Sequence, residues 1–297
     1  MATLAPRLFF KTMKKARYIS VLIAALLSVA GFLSSGCSSS NAENAAETTD
    51  KATDTMDYDL RVAVLPTLEA LPVYYAQQAG IFDSLGITVK ILPYTAQFDC
   101  DTALFNNTAD VCMMDRTRFA DYTSKGYALA SQLNIDTHYS LVASKEINAK
   151  RVRDLSNLTI AISRHSGAET YCLHELKAAG LKREDVHFPQ INNVWLRADM
   201  LTNRQVDAAV LPRLQAICAE LNGHHPLKSN AGIPEARMQL VYLSTSANID
   251  KITLLAKAYE LGKAQIANNG FGICRNIFIK EYKISAEQTD SIIKRLP

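Results

Sequence analysis

The segment from Leu60 to Asp115, LRVAVLPTLEALPVYYAQQAGIFDSLGITVKILPYTAQFDCDTALFNNTADVCMMD, decides the fold of this chain. It begins with a short apolar run rich in β-branched residues and closed by Pro66, which predicts a buried strand. The run LPVYYAQQAG follows with helical spacing and ends on Gly80, and a second apolar run covers 88–92. The pattern predicts a strand, a helix and a second strand, in that order.

The same alternation continues to the end of the segment. Residues 98–105 have the pattern of a short helix, and residues 109–114 have that of a third strand. Strands that alternate with helices form a parallel sheet covered by helices, and such sheets bind ligands outside the carboxyl ends of their strands. We therefore expect the loops after Leu65, Leu92 and Met114 to share one edge of the sheet.

The order and spacing of these elements resemble those of a known family. The phrase LPVYYAQQAGIFDSLGITVKILPY (71–94), then a small-residue helix, then NTADVCMMD (107–115) resembles the solute-binding proteins of ABC importers, in the nitrate, sulfonate and thiamine-precursor branch. The resemblance extends more weakly from Leu60 to about Pro297. It implies the type II periplasmic binding protein fold, an α/β fold with two lobes and a ligand cleft between them.

The first 36 residues have the composition of an export signal. They carry five basic and no acidic residues, and their apolar run from Ile19 to Leu33 is shorter than the roughly 18 residues that a spanning helix needs. The end of the run, LSSGC, resembles the lipobox of bacterial lipoproteins, with Ser34 where Leu is usual. We expect residues 1–36 to be a lipoprotein signal peptide and Cys37 to be the lipidated first residue. A start at Met13 and an uncleaved anchor are the alternatives.

Residues 37–57 contain hardly any apolar side chains, which predicts a disordered stalk. The chain has 32 basic and 29 acidic residues, and without the five basic residues of the signal 27 remain against 29. No basic stripe alternates with aromatic residues, so we expect no binding to nucleic acid. About 240 residues follow the stalk, enough for two lobes. The expected protein is exported and lipid-anchored to a bacterial membrane.

Five cysteines follow Cys37, and their odd number leaves at least one of them unpaired. Their places within apolar patterns favour small buried side chains. The adjacent His224 and His225 lie in a predicted loop with Pro226 and Gly232, where solvated histidines are common. No spacing is typical of a metal site, so we expect neither a metal nor a cofactor.

Residues 58–145 and 238–297 are predicted to form lobe 1, and residues 146–237 lobe 2. Strands are expected at 158–162, 186–191 and 206–211.

The polar loop 163–167 precedes a predicted helix in lobe 2. Ser166 is the expected N-cap, with Glu169 completing a capping box. A polar turn at a helix start also receives anions, and Arg164 and His165 would add positive charge there. A well-capped connection without a ligand is the alternative.

Arg116 and Arg213 follow corresponding predicted strands. The stretch NRQVDAAVLP (203–212) parallels NNTADVCMMD (106–115), which indicates that the two lobes are related. We therefore expect the two guanidinium groups on opposite edges of the cleft, where they would hold an anionic ligand. Pairing of either arginine with an acidic neighbour is the alternative.

The residues expected to contact the ligand share one property, because each follows the end of a predicted strand. They are Thr67, Glu69, Leu71, Tyr94, Thr95, Gln97, Asp115, Arg116, Arg164, His165, Ser166, Asn192 and Arg213. The arginines favour a sulfonate, nitrate or carboxylate, and Tyr94 could stack on a planar ring. Glu69 and Asp115 favour an amine or an aminopyrimidine instead.

The resemblance implies a monomeric, extracytoplasmic substrate-binding lipoprotein that captures a small solute and presents it to an ABC permease in the membrane. Closure of the two lobes would bury the ligand. An enzyme on the same fold is a second class, with His165, Glu69 and Asp115 as candidate acids or bases. We expect no enzymatic activity, because the sequence has no nucleophile elbow, phosphate loop or metal-ligand helix motif. A surface sensor or scaffold lipoprotein is the third class.

Overall fold

The structure is a computed structural model that describes residues 57–231 and 233–296. The predictions for the signal peptide 1–36, for Cys37 and for the stalk up to position 56 concern residues outside these ranges. The strands are β1 (Leu60–Val64), β2 (Val89–Pro93), β3 (Val111–Asp115), β4 (Leu129–Ile135), β5 (His138–Ala143), β6 (Ile160–Ala161), β7 (Ala208–Pro212), β8 (His225–Ala231) and β9 (Met238–Leu243). The α-helices are α1 (Leu71–Gln78), α2 (Ile81–Ser84), α3 (Gln97–Phe105), α4 (Arg116–Ser124), α5 (Gly167–Ala178), α6 (Val194–Thr202), α7 (Arg213–Leu221), α8 (Ile249–Asn269), α9 (Arg275–Lys280) and α10 (Ala286–Ile293). Within the described ranges, none of these helices is both long and apolar enough to cross a membrane.

Five strands form the sheet of lobe 1, in the order β2-β1-β3-β9-β4. As the alternation predicts, β1 pairs in parallel with β2 and β3, whereas β9 lies antiparallel between β3 and β4. Gly80 follows α1 with φ 68°, a left-handed conformation that glycine adopts at little steric cost, and this ends the helix. The apolar sides of α1 and α8 share one core cluster with the sheet. This packing places the loops after β1 and β3 at one edge.

Four strands form the sheet of lobe 2, in the order β6-β7-β5-β8. β6 and β7 are parallel, and β5 is antiparallel to both β7 and β8. Two core clusters lie on this sheet. The described chain is thus an α/β protein with two sheets, as the sequence predicts.

The chain passes between the sheets twice, first at 136–137 between β4 and β5, and again between β8 and β9. The predicted boundary between 145 and 146 lies after β5. In the structure β5 pairs with β7 and β8 of the second sheet, so the chain changes sheet before β5. The apolar pattern of a strand does not indicate which of two sheets will provide its partners, because any strand edge offers the same backbone donors and acceptors.

The strand predicted at 186–191 is reduced to two isolated bridges, at His187 and Gln190. The backbone of Ile160 donates to the carbonyl of His187, and the backbone of Ile162 donates to that of Pro189. Pro189 has no N–H to return a hydrogen bond, so the ladder is interrupted at its middle.

The loop predicted around His224 and His225 is in large part a strand, β8, which pairs with β5 at the edge of the sheet. Pro226 is compatible with this position, because proline within sheets is tolerated mainly on edge strands, which have only one neighbour. The pairing shifts register between Leu141 and Val142, as at a β-bulge.

The parallel between the two lobes extends to an aspartate before a central strand in each. The Asp110 Oδ2 accepts a hydrogen bond from the backbone N–H of Arg61 at 2.7 Å, and the Asp207 Oδ2 accepts one from that of Thr159 at 2.8 Å. The Asp110 carboxylate therefore fixes the start of β1 beside β3, and the Asp207 carboxylate fixes the start of β6 beside β7.

The helix α7 lies between the lobes and packs on both. Leu214 and Ile217 belong to the core of lobe 1, whereas Ala216 and Ala219 belong to that of lobe 2. The side-chain amide of Gln215 donates to the carbonyl of Pro66 at 2.8 Å. This helix therefore couples the position of the second sheet to the loop after β1.

Candidate functional site

A cavity of about 30 Å³ lies between the two lobes, where strands of both sheets end. Leu65, Asp115 and Met238 line it from lobe 1, and Ser163 and Pro212 line it from lobe 2. A water molecule needs about 10–15 Å³ of such space, so the cavity has room for about two water-sized groups in this closed arrangement. It is the interlobe cavity.

Six of the residues predicted to contact a ligand line the interlobe cavity. They are Thr67, Glu69, Gln97, Asp115, Ser166 and Asn192. Two tyrosines fix the turn that carries Thr67 and Glu69. The Tyr282 hydroxyl donates to the carbonyl of Thr67 at 2.7 Å, and the Tyr259 hydroxyl donates to the carbonyl of Glu69 at 3.0 Å. The structure therefore brings these six predicted residues together around one cavity.

Seven predicted residues do not line the cavity. They are Leu71, Tyr94, Thr95, Arg116, Arg164, His165 and Arg213. Leu71 is part of the core of lobe 1. Thr95 and His165 lie near the cavity but contribute carbonyl groups to contacts between the lobes. A position after a strand end does not determine the direction of the side chain.

The two arginines expected to face each other across the cleft, Arg116 and Arg213, both lie outside the interlobe cavity. Arg116 is exposed on the first turn of α4, which begins directly after its N-cap residue Asp115. The Arg213 Nη1 lies 3.5 Å from the Glu220 Oε1, so Arg213 takes the alternative of pairing with an acidic neighbour.

The capping box predicted at Ser166 is absent from α5. The Ser166 hydroxyl donates to the carbonyl of Ser163 at 2.7 Å, and the Glu169 Oε2 accepts from the backbone N–H of His165 at 2.6 Å. These contacts hold the loop 163–167 as a compact turn. Arg164 donates to the carbonyl of Phe188 rather than to the cavity.

Arg197 is the cation of the interlobe cavity, and the sequence prediction missed it. It is only 2% exposed, and its Nη1 donates to the carbonyl of Ile191 at 2.8 Å. Its Nε is buried without a hydrogen-bond partner, and no carboxylate lies within ion-pair distance among the described residues. Burial lowers the pKa of Arg197 to about 10, which leaves the guanidinium protonated at neutral pH.

A signal for Arg197 was present in the sequence. The buried face of α6 consists of Val194, Arg197, Ala198 and Leu201, which have the i, i+3, i+4, i+7 spacing of a core-facing stripe. An arginine at such a position must be paired or must face a polar cavity, because an isolated buried charge is costly.

Two carboxyl groups line the cavity from lobe 1. Burial raises the pKa of Asp115 to about 7, even though its Oδ1 accepts a hydrogen bond from the backbone N–H of Arg118 at 2.9 Å. Burial also raises the pKa of Glu69, whose Oε1 is 3.4 Å from the backbone N–H of His138. Asp115 therefore carries less negative charge near neutral pH than an exposed carboxylate would.

Two neutral polar groups complete the lining. The Gln97 amide donates to the Asp101 Oδ1 at 2.9 Å and to the carbonyl of Met113 at 2.7 Å, so its oxygen is the group that remains for a ligand. Tyr139 of β5 is 8% exposed and also lines the cavity. The site thus offers a cation and a hydroxyl from lobe 2 and acceptors from lobe 1.

A buried ion pair supports the wall of the cavity behind Asp115. The Arg118 Nε lies 2.6 Å from the Asp101 Oδ2, and the Arg118 Nη1 donates across to the carbonyl of His165 at 3.2 Å. The Tyr122 hydroxyl also donates to Asp101. This network joins α3 and α4 of lobe 1 to the polar loop of lobe 2.

A second contact closes the cavity from the side of α6. The Asn193 Nδ2 donates to the Thr95 Oγ1 at 3.0 Å, and the backbone of Val194 donates to the carbonyl of Thr95 at 3.0 Å. The structure therefore has the lobes in contact beside the cavity.

The lining side chains offer charged and hydrogen-bonding groups to a ligand. The Ser166 hydroxyl is held by a backbone carbonyl and not by a histidine. Over the described residues, no group of three or more His, Cys, Asp or Glu side chains is arranged to hold a metal ion. The five cysteines of this part of the chain are free thiols, four of them buried.

The fold is that of several solved binding proteins. The alkanesulfonate-binding protein SsuA from Xanthomonas axonopodis pv. citri, solved with MOPS bound, superposes with a TM-score of 0.68 at 14% identity over 80% of this chain and 84% of that protein. A ligand-binding component of an ABC-type import system from Staphylococcus aureus has a TM-score of 0.64 at 14% identity, over 78% of this chain and 82% of its own. A Candida albicans gene product described as having the generic periplasmic binding protein fold has a TM-score of 0.62 at 16% identity, over 80% of this chain and 81% of its own. These similarities show the periplasmic binding protein fold that the sequence resemblance implies.

No curated protein sequence matches the chain significantly. The sequence model of one family, described as NMT1/THI5 like, matches residues 68–268. This range includes every strand except β1 and all the groups of the interlobe cavity discussed above except Leu65 and Thr67. The match spans more than half of the chain, so this protein belongs to the NMT1/THI5-like family.

Proposed function

We propose that this protein is the extracytoplasmic solute-binding component of an ABC-type import system, and that its ligand is a small molecule with an anionic group held by Arg197. The observation that carries the proposal is the buried guanidinium of Arg197, which lines the interlobe cavity without a carboxylate partner. A buried charge of this kind is stabilised when an anionic ligand supplies the missing partner. Membership of the family and similarity to import proteins support the transport role.

The two lobes offer different chemistry to such a ligand. Arg197 and Tyr139 belong to lobe 2, whereas Glu69, Asp115 and the Gln97 oxygen belong to lobe 1. A ligand with an anionic group at one end and N–H or O–H donors at the other would contact both lobes. Ligand binding would then favour the closed arrangement, which the permease would recognise.

Export and anchoring are part of the proposal and rest on the sequence. The basic head, the short apolar run and the LSSGC sequence support a lipoprotein attached at Cys37 to a bacterial membrane. The folded part would act as a monomer outside the cytoplasm.

A thermal-shift screen of the purified protein against alkanesulfonates, nitrate, small carboxylates, amino acids and pyrimidines tests the proposal. A ligand at about 100 times its dissociation constant adds about 2.7 kcal/mol of stability, and for a protein of this size that raises Tm by about 5–10 °C. We expect a shift with an anionic compound.

The variant Arg197→Met tests the assigned contact. Removal of one partner of a buried, hydrogen-bonded charge pair costs about 2–5 kcal/mol of binding, so affinity for the anionic ligand should fall by a factor of about 30 or more. The matched control is Arg116→Met, an exposed arginine outside the cavity. Equal affinity of the Arg197 variant and the wild type would refute the role of Arg197, and no shift with any compound would favour the sensor or scaffold class.

A further inference from the structure

A second and larger cavity lies on the other side of the segment that joins the lobes. Thr137 lines the interlobe cavity, whereas its neighbours Asp136 and His138 line this second cavity. The crossing segment therefore separates the two, and Glu69 is the one residue that lines both. We name the second cavity the hinge pocket, defined by Leu71, Asp136, His138, Arg213, Lys263 and Ala267.

The hinge pocket has the size and lining of a ligand site. Its volume is about 470 Å³, within the range of about 300–1,000 Å³ that small-molecule pockets occupy. Most of its lining is aliphatic or aromatic, from α1, α8 and the residue Leu296 near the carboxyl end of the chain. A pocket with these walls favours a ligand with an extended apolar body.

Two basic side chains, Lys263 and Arg213, and two acidic ones, Glu69 and Asp136, line the hinge pocket. Lys263 is exposed on α8 and has no ion-pair or hydrogen-bond partner among the described residues. The Arg213 Nη1 lies 3.5 Å from one oxygen of Glu220, but the other oxygen of that carboxylate is 3.4 Å from Arg295. One carboxylate thus balances two guanidinium groups, which leaves positive charge beside the pocket.

The acidic groups at the pocket offset little of this charge. The Asp136 Oδ1 is 3.3 Å from the Nε of Arg237, an ion pair although the two atoms are not aligned as a hydrogen bond. Glu69 is 6% exposed on the wall shared with the interlobe cavity, and its Oε1 lies 3.4 Å from the backbone N–H of His138. The ligand that best matches this pocket is therefore an anion with an apolar body.

We propose that the hinge pocket is a second binding site, for an amphipathic monoanion such as a medium-chain carboxylate, with its head at Lys263 and Arg213 and its chain against α1 and α8. His138 and Arg213 belong to lobe 2, whereas Leu71, Lys263 and Ala267 belong to lobe 1. The pocket is complete only in an arrangement that brings these parts of both lobes together. The site is separate from the interlobe cavity, with Glu69 as the residue that lines both.

Isothermal titration calorimetry of sodium decanoate into the purified protein, below the micelle concentration of decanoate, tests the proposal. We expect saturable binding at one site, and binding of decyltrimethylammonium weaker by about tenfold, because the head would meet cations. The variant Lys263→Glu should weaken decanoate by about tenfold or more for the same reason. Its matched control is Lys257→Glu, an exposed lysine of the same helix outside the pocket, which should leave the affinity unchanged.

A second pair of variants tests the location independently of charge. Ala267 is an exposed residue of α8 that lines the pocket, and Ala267→Trp should fill the pocket and abolish decanoate binding. Ala264→Trp places the same side chain at an exposed position of α8 outside the pocket and should leave binding unchanged. Absence of saturable decanoate binding to the wild type, or undiminished binding to the Ala267→Trp variant, would overturn the proposal. Neither result bears on the solute of the interlobe cavity.

Discussion

Asp115 is a buried carboxyl group whose protonation should make the stability of this protein depend on pH. It is 2% exposed, it caps α4 and it lines the interlobe cavity. Burial raises its pKa from 3.8 to about 7, an increase that the nearby Arg118 opposes and that Asp101 reinforces. The folded protein therefore holds this proton more tightly than the unfolded chain does.

The sign and size of the effect follow from this difference. Below pH 3.8 both states are protonated, and the stability that the protonated group contributes is fully present. Between pH 3.8 and about 7 only the unfolded chain ionises, so the free energy of unfolding falls by about 1.4 kcal/mol for each pH unit. The total loss is about 4 kcal/mol, of which about 3 kcal/mol should fall between pH 5 and pH 8.

Urea unfolding of the wild type and of Asp115→Asn, followed by circular dichroism from pH 5 to pH 8, measures this contribution. Asparagine keeps an oxygen that can accept from the Arg118 backbone but has no proton to release. We expect the free energy of unfolding of the wild type to fall with pH by about 3 kcal/mol more than that of the variant. Asp121→Asn on the same helix, where the carboxylate is partly exposed and pairs with Lys125, is the control and should keep the wild-type slope. Parallel pH profiles for the wild type and Asp115→Asn would refute the reasoning.

Two further predictions concern packing and the contact between the lobes. Gly262 of α8 lies so close to α1 that a Cβ atom would be 2.7 Å from the carbonyl oxygen of Pro72. Gly262→Ala should therefore lower the free energy of unfolding by about 1–2 kcal/mol. This loss is expected even though alanine is more favourable than glycine in a helix by about 1 kcal/mol. Gly272→Ala, where a Cβ atom would meet nothing within 4 Å, should not destabilise in the same thermal unfolding assay, and equal Tm values for the two variants would contradict the argument. Asn193→Ala should cost about 1–2 kcal/mol in urea unfolding, because its side chain accepts from two backbone N–H groups at the start of α6 and donates to Thr95. Thr95→Val removes only the hydrogen bond between Asn193 and Thr95 and keeps the two bonds to the start of α6. If Thr95→Val lowered the free energy of unfolding as much as Asn193→Ala does, the helix cap would contribute nothing.

The fold could be predicted from the sequence to a large extent. The alternation of apolar runs and helical patterns from Leu60 to Asp115 located the first three strands of lobe 1, and the family resemblance implied the two-lobed architecture that the structural comparisons show. The errors have local causes. Pro189 interrupts one predicted strand, and β8 was hidden because Pro226 and the adjacent histidines have the composition of a loop.

The site could be predicted only in part. Strand ends indicated six lining residues, among them Asp115, because parallel strands place their carboxyl ends at a common edge. The same rule selected Arg116 and Arg213, which lie outside the interlobe cavity, and overlooked Arg197 in the middle of a helix.

The sequence by itself determined the class of fold and the order of the first three strands along the chain, because these depend on local patterns of apolar and polar residues. Only the tertiary structure decided which sheet β5 joins, which arginine faces the interlobe cavity and where the hinge pocket forms. These features depend on contacts between segments far apart in the chain, such as α7 with the loop after β1, and on the direction of each side chain. Periodicity along one segment carries no information about either.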